Sequence, residues 1–189
     1  MEFYDVVYRR RSIRKYKADP VPRDVLMKVL DAANWTPSGM NLQQWKFVVV
    51  GGEKLKELGK SFSCFVESLQ IEPERNQGML QFARTFGGAP AVIIALAPAA
   101  DDPNQRKMHL ESVSAAFENM LLAACAEGLG TCWMLGPLLN EVEIRRILNI
   151  PDEKELVALT PIGYPDMEPA APPRLDPGLK QKVTWVEYP

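Results

Sequence analysis

Apolar residues recur along this chain in two patterns, and each pattern predicts one kind of secondary structure. A spacing of three to four residues, clearest at Val25, Val29 and Ala33, is typical of helices that bury one face. Short continuous apolar runs bounded by glycine or proline are typical of buried strands. Helices are predicted at 2–10, 19–35, 53–69, 108–128 and 140–148, and strands at 45–52, 89–98, 131–136 and 156–165.

Local signals fix some ends of these elements and leave one segment undecided. Asn140 and Glu143 have the spacing of a capping box, which predicts that a helix begins there. Gly128 ends the longest predicted helix, because glycine readily adopts the conformation that terminates helices. Residues 70–88 show no clear period and are expected to be loose; a lid and a plain surface loop fit them equally well.

The C-terminal segment 165–189 is rich in proline and shows little helical pattern. Such a segment cannot build a core of its own, so it either hangs free or lies across another surface. Its last residues, 183–188, have the composition of a strand, which favours docking. We therefore expect one domain over 1–189 whose tail docks on another surface.

The order of the elements indicates the fold class. Strands and helices alternate, but the strands are few and the helices long, which predicts an α+β fold or a three-layer α/β/α sandwich. The chain has 189 residues, of which 47% are hydrophobic, enough for one domain with a substantial core.

Composition removes several classes of function. The net charge of −2 argues against general attraction to nucleic acid or to anionic membranes. The three cysteines form no C-x-x-C motif, so we expect neither a metal site nor a disulfide framework, and a reducing cytoplasm is the expected location. No apolar window reaches the length of a transmembrane helix.

One short stretch is strongly basic. Six of the nine residues in 9–17 are Arg or Lys, which leaves 16 Lys and Arg against 24 Asp and Glu elsewhere. A solvated charged face is one interpretation and a phosphate site is another. Arg10, Ser12 and Arg14 alternate along an extended segment, so their side chains can form a compact cage for one phosphate. Arg174, which is otherwise a surface arginine, could complete that cage.

Two loops carry further candidate groups. Pro37-Ser38-Gly39 is a turn signal, and the amides of Asn41, Gln43 and Gln44 follow it; they form a polar loop or satisfy the edge of a flat heterocycle. Gly128 and Gly130 form a G-x-G, but Trp133 occupies the third glycine position of a dinucleotide fingerprint, so a Rossmann site is rejected. The backbone around Leu135 and Gly136 could still meet a ligand.

Taken together, these segments resemble the nitroreductase-like FMN flavoprotein superfamily. "RRSIRKY" at 10–16 is similar to its phosphate motif, and 36–50 to its A-P-S-x-x-N-x-Q-P-W-x-F signature. "GLGTCWMLG" at 128–136 and "IGYP…PPRLDP" resemble the segments beside the flavin ring and at the C-terminus. Thr36 and Gln44 depart from the signature, which has alanine and proline at these positions.

The resemblance implies a domain-swapped homodimer of the nitroreductase type with two FMN molecules at the interface, and a tail that docks on the partner subunit. It implies three groups of cofactor-binding residues. The phosphate and ribityl chain would be held by Arg10, Arg11, Ser12, Arg14 and Arg174, the partner's flavin would be reached by Pro37, Ser38, Gly39 and Asn41, and the ring would be lined by Met134, Leu135 and Gly136.

The implied activity is hydride transfer from NADH or NADPH, through flavin N5, to a nitroaromatic or quinone acceptor in a ping-pong sequence. The cofactor carries the chemistry, so no catalytic side chain and no metal are assigned. Three alternatives stay open: a non-catalytic flavin-binding or redox-sensing module, a fold-sharing enzyme such as a reductive dehalogenase, and a basic-patch interaction protein.

Overall fold

A four-stranded antiparallel sheet organises the chain. The computed structural model describes residues 2–69 and 73–188. Its strands are β1 (Lys46–Gly51), β2 (Ala91–Pro98), β3 (Gly130–Thr131) and β4 (Lys154–Gly163), in the order β1-β2-β4-β3. Its α-helices are α1 (Phe3–Arg9), α2 (Arg23–Asn34), α3 (Gly52–Ser68), α4 (Pro73–Thr85), α5 (Pro103–Ala126) and α6 (Glu141–Leu148). The predicted mixed helix-and-sheet class is confirmed.

Strand β2 lies inside the sheet and has no exposed face. It pairs with β1 through Val48 and Ile94 and with β4 through Ile94 and Leu159, and every residue from Ala91 to Ala97 is buried. A strand covered on both faces reads as a continuous apolar run, which explains why the sequence signal at 89–98 was clear.

Alternate residues of β2 enter two separate hydrophobic clusters. Val92, Ile94 and Leu96 join a cluster that includes residues of α3 and α6. The residues between them join a cluster that includes α2 and α5. This alternation follows from the period of two along a strand. On the α5 side the β2 residues are mostly alanine, so the helix lies close to the sheet.

We predicted that residues 70–88 are loose, and this prediction is wrong for the residues that the structure describes there. Residues 73–85 form helix α4, and residues 70–72 of the prediction lie outside the described part. Ala83 and Phe86 are fully buried, so the segment packs against the core. The sequence shows no helical signal because few residues of this segment are apolar. Those few are nevertheless enough to hold α4 against α3.

The start of α5, the capping bond predicted for Asn140 and the length of β3 also differ from the predictions. Helix α5 begins at Pro103 rather than 108, because the Asp102 carboxylate accepts a hydrogen bond from the Gln105 amide (2.7 Å). Asn140 makes no capping bond; its Nδ2 donates to Ser61 Oγ (2.9 Å). Strand β3 has two residues, so most of the strand predicted at 131–136 is loop.

The tail after β4 contains neither helix nor strand up to residue 188. Trp185 and Tyr188 pack against each other at 5.0 Å between ring centroids, yet both remain about 70% exposed. The expected strand at 183–188 is therefore absent in the single chain. Among the described residues, no helix is both long and apolar enough to span a membrane.

The close crossing of α3 and α4 predicts opposite effects for two glycine substitutions. A Cβ at Gly59 would collide with the backbone carbonyl of Arg84, whereas a Cβ at Gly78 on α4 meets nothing within 4 Å. Gly59→Ala should therefore lower the free energy of unfolding by about 1–3 kcal/mol through overpacking. Gly78→Ala should raise it by about 0.5–1 kcal/mol, because alanine favours the helix. Denaturant unfolding measures both, and stabilisation by Gly59→Ala would contradict the close packing.

Candidate functional site

The basic stretch 9–17 continues from the end of α1 as an extended segment. Backbone hydrogen bonds join it to β3 on one side and to the start of the C-terminal tail on the other. The amide of Ile13 donates to the carbonyl of Thr131 in β3 (2.8 Å). The amide of Lys17 donates to Tyr164, and the amide of Asp166 donates to Lys15, each at 2.9 Å. The N-terminal motif thus lies between strand β3 and the start of the C-terminal tail.

Tyr16 anchors this segment from inside. Its side chain is 5% exposed, and its hydroxyl donates to the carbonyl of Ile13 (2.6 Å). Burial raises the pKa of the Tyr16 hydroxyl far above its usual range. The phenol therefore stays a hydrogen-bond donor and holds the motif in one shape across the physiological pH range.

A cleft of about 690 Å³ opens between the motif, the C-terminal end of α5 and the tail. This volume lies in the range of small-molecule and cofactor sites, roughly 300–1,000 Å³. Its walls are formed by Arg9, Arg10, Arg11, Ile13, Cys125, Gly128, Leu129, Thr131, Pro165, Asp166, Met167, Glu168 and Pro169.

The cleft collects three guanidinium groups. Arg10 lies 3.7 Å from the Glu118 carboxylate through its Nε, and Arg11 donates to the carbonyls of Tyr8 and Arg10, each at 2.7 Å. These contacts fix the directions of two of the arginines. Guanidiniums present several donors in one plane, which suits the oxygens of a phosphate or carboxylate.

Two carboxylates on the tail wall oppose this positive charge, and one of them is already paired. Lys15 Nζ lies 2.6 Å from Asp166, and its hydrogen bond holds the pKa of that carboxyl below its usual range. Asp166 therefore stays ionised and compensated by Lys15. Glu168 lies on the same wall. The arginine side of the cleft is thus the part suited to an anion.

The side chain of Cys125 lines the cleft near the arginines. Burial raises the pKa of this thiol, and the charges of Arg10, Arg9 and Arg11 oppose that rise only in part. A thiol with a raised pKa carries little thiolate at neutral pH and is a poor nucleophile. Cys125 therefore acts as an apolar wall of the cleft.

The cleft gathers a different set of cations from the cage predicted by alternation. Arg10 and Arg11 line it, but Ser12, Arg14 and Arg174 do not. The motif changes from helix to extended chain at Arg9–Arg10, so consecutive side chains reach the same space. Arg9 was missed for this reason, although its place in the last turn of α1 was a usable signal. Arg14 and Arg174 are exposed.

The predicted turn at 37–41 docks on the other end of α5. The amide of Gly39 donates to Ser112 Oγ (3.2 Å), and a Cβ at Gly39 would collide with the side chain of Met108. A larger residue at position 39 would therefore displace the Met108 side chain. The amide of Asn41 donates to the carbonyl of Ser38 (2.9 Å), which closes the turn.

The three candidate amides do not converge on one space. Gln43 Nε2 donates to Asn41 Oδ1 (3.1 Å), so these two amides partly satisfy each other. The amide of Gln44 is buried and has no hydrogen-bond partner among the residues described. Such a group is costly unless a partner is supplied from elsewhere. Of the three, Gln44 is the one whose buried amide atoms lack a partner.

The turn and the basic motif occupy different lengths of α5. The turn contacts α5 at Ser112, whereas Arg10 and the cleft meet it at Glu118 and Cys125. At 1.5 Å per residue these positions are about 9–20 Å apart along the helix axis. Gly39 and the cleft therefore meet α5 at different positions, although Thr36, just before the turn, bonds Asn119 beside Glu118.

The predicted ring-lining segment 134–136 follows the cleft along the sheet edge. Met134 exchanges backbone hydrogen bonds with Leu159 of β4 (2.8 and 3.2 Å), and Leu135 is 61% exposed. Gly136 begins a short 3₁₀ helix. Thr131 lines the cleft and precedes Met134 by three residues. An extended chain rises about 3.3 Å per residue, so the two residues are about 10 Å apart. The two features can serve one elongated ligand.

Other reactive groups are accounted for structurally. His109 is buried, and its Nδ1 lies 3.1 Å from the carbonyl of Pro98, so it joins α5 to the end of β2. No group of three or more potential metal ligands occurs within residues 2–69 and 73–188.

Comparison with known proteins gives a consistent family assignment. The Nitroreductase family model matches residues 7–164. The chain is 29% identical to an NADH dehydrogenase of Thermus thermophilus, covering 94% of this chain and 92% of that protein. It is 32% identical to the structure of a nitroreductase family protein from Clostridium novyi, with a TM-score of 0.70 and coverage of 88% and 86%.

A third likeness is to an iodotyrosine deiodinase whose structure holds FMN and 3-iodo-L-tyrosine. The identity is 28%, the TM-score is 0.73, and the match covers 100% of this chain and 99% of that one.

Proposed function

Because the chain belongs to the nitroreductase family, we propose that it is an FMN-dependent oxidoreductase that uses NADH or NADPH. The observation that carries this proposal is the cleft lined by Arg9, Arg10 and Arg11, which continues along the sheet edge toward residues 134–136. The cofactor expectation agrees with the relatives, since one is named an NADH dehydrogenase and another holds FMN.

The residues of the cleft fit the phosphate end of FMN. Three guanidiniums and the Thr131 hydroxyl supply donors to an anion, and the nearby carboxylate of Asp166 is already neutralised by Lys15. The chemistry that FMN would supply here is hydride transfer between a nicotinamide and a nitroaromatic or quinone. The chain would bind and orient the cofactor: Arg10 and Arg11 would hold the phosphate, and the backbone of Leu135 and Gly136 would lie beside the ring.

The other half of the site is proposed to come from a second copy of the chain. None of the four turn residues lines the cleft of its own chain, so we propose that they reach the flavin of the partner: Pro37, Ser38, Gly39 and Asn41. Ser12, Arg14 and Arg174 remain candidates for the phosphate on the same reasoning, with the tail crossing between subunits.

We further propose the domain-swapped homodimer and the three-layer α/β/α arrangement. The two hydrophobic clusters served by alternate residues of β2 support the layers. Exposed aromatic side chains on α1 support the interface, since Phe3, Tyr4 and Tyr8 are each 67–69% exposed. We keep the cytoplasmic location as part of this proposal, in line with three free cysteines.

Reductive dehalogenation is the second candidate, because one similar structure is a deiodinase with iodotyrosine bound. The two activities differ in the acceptor, so parallel assays with a quinone, a nitroaromatic and 3-iodotyrosine separate them.

The direct test is turnover by the FMN-loaded protein. NADH or NADPH should be oxidised when a quinone or nitroaromatic is present, and initial rates over a grid of both substrates should give parallel double-reciprocal lines. Yellow protein without turnover would favour the non-catalytic flavin module. Protein that binds no FMN would overturn the proposal.

Arg10→Ala should weaken FMN binding about 10- to 150-fold, since a charge-assisted hydrogen bond contributes roughly 1.5–3 kcal/mol. Titration of the apo-protein measures this, and FMN should also slow labelling of the Cys125 thiol in the same cleft. Lys17→Ala is the matched control, because it removes a cation of the same motif that does not line the cleft. Equal affinity of Arg10→Ala and wild type would remove the cleft from the proposal.

The protein should remain a dimer on dilution. Obligate interfaces bury roughly 2,000–5,000 Å², so light scattering should give twice 21.2 kDa across a dilution series. A folded monomer that binds FMN with full affinity would contradict a site shared between subunits.

A further inference from the structure

The turn that follows α2 is held in an unfavourable backbone shape. Met40, Asn41 and Gln43 have φ values of 52°, 54° and 48°, in the left-handed region that side chains other than glycine rarely adopt. Three such residues within four positions persist only where surrounding contacts hold them. The turn therefore depends on its anchors.

Contacts inside the turn fix its shape but not its place. The Ser38 carbonyl accepts from the amide of Asn41, and Ser38 Oγ accepts from the amide of Gln43, each at 2.9 Å. These bonds would survive if the whole turn moved as a unit. Its position is set by its flanks, where Trp45 Nε1 donates to Asn34 Oδ1 (3.1 Å), and by contacts with α5.

Two side chains of α5 supply hydrogen bonds to this segment. Asn119 Nδ2 donates to Thr36 Oγ1 (2.8 Å), and Ser112 Oγ accepts from the amide of Gly39 (3.2 Å). Thr36 is 6% exposed, so its bond is shielded from water. Ser112 and Asn119 are two helical turns apart on one face. Anchors at both ends fix the location and the tilt of the turn.

We propose that Thr36 and Asn119 are positioning residues that set how the turn 37–41 is presented to the flavin. The inference rests on the proposed function and adds a residue pair to it. Thr36 stands where the related signature has alanine, which has no hydroxyl to accept the Asn119 amide. We call the Thr36–Asn119 hydrogen bond the latch.

Removing the Thr36 hydroxyl tests the latch at constant volume. In the apo-protein, Thr36→Val should speed hydrogen exchange at the Gly39 amide. In FMN titrations it should raise the dissociation constant roughly five- to tenfold, the loss of one net hydrogen bond, and it should change the visible circular dichroism of the bound flavin. Thr36→Ser should restore all three readouts, since it returns the hydroxyl.

The partner residue gives a second route if Thr36→Val does not fold. Asn119→Leu should produce the same changes, and Asn119→Asp should retain wild-type behaviour, because the Thr36 hydroxyl can donate to a carboxylate. Ser63→Ala is the control; it removes a hydroxyl bond to the carbonyl of Lys60 within α3 and should leave exchange at Gly39 and FMN affinity unchanged.

The outcomes separate the latch from the proposed function. Wild-type affinity and wild-type exchange in Thr36→Val, in protein that binds FMN, would overturn the latch alone. Equal weakening by Ser63→Ala would also overturn it, since the effect would then be general loss of stability. Wild-type protein that fails to bind FMN would overturn the proposed function and the role given to the latch within it.

Discussion

Helix α5 imposes the distance on which the candidate site depends. One stretch of it meets the turn at Gly39, and a later stretch meets the arginine cleft at Arg10 and Cys125. Its spacing along the axis cannot shrink, because an α-helix rises 1.5 Å per residue. The same helix is buried against β2 and β4, so it cannot shift to bring the two ends together. The proposed sharing of the site between two copies is a direct consequence.

The sheet and the candidate site are built from different kinds of residue. Strand β2 and the facing side of α5 use apolar residues that are fully buried, from Ala95 and Ala116 to Phe117 and Met120. The turn and the cleft use polar groups with defined partners, at some cost in backbone strain and in one buried amide, Gln44. Such costs concentrate where a chain recognises something outside itself, which agrees with a ligand or a second subunit at this surface.

Sequence patterns predicted the parts of this molecule that rest on local chemistry. Strand β2 was clear because it is apolar throughout, and the turn at 37–39 because proline and glycine mark it. Helix α4 was missed because few of its residues are apolar, and those few are buried only through packing against the preceding helix, α3. The phosphate cage stays a prediction: Arg10 lines the cleft, whereas Ser12 and Arg14 do not, because the helix end at Arg9 brings consecutive arginines there. No pattern could have shown that Thr36 bonds Asn119, which lies 83 positions away.

The pairing of the basic motif with the start of the tail has a consequence for biosynthesis. One wall of the cleft is made of residues 9–13 and the opposite wall of residues 165–169. At ribosomal rates of 5–20 residues per second, roughly 8–30 seconds separate the translation of the two walls. During that interval the arginines lie beside no opposing wall, and strand β4 must join the sheet before residues 164–166 can pair with 15–17. The basic stretch 9–17 is translated first, yet its contacts with residues 164–166 can form only after the last strand has been made.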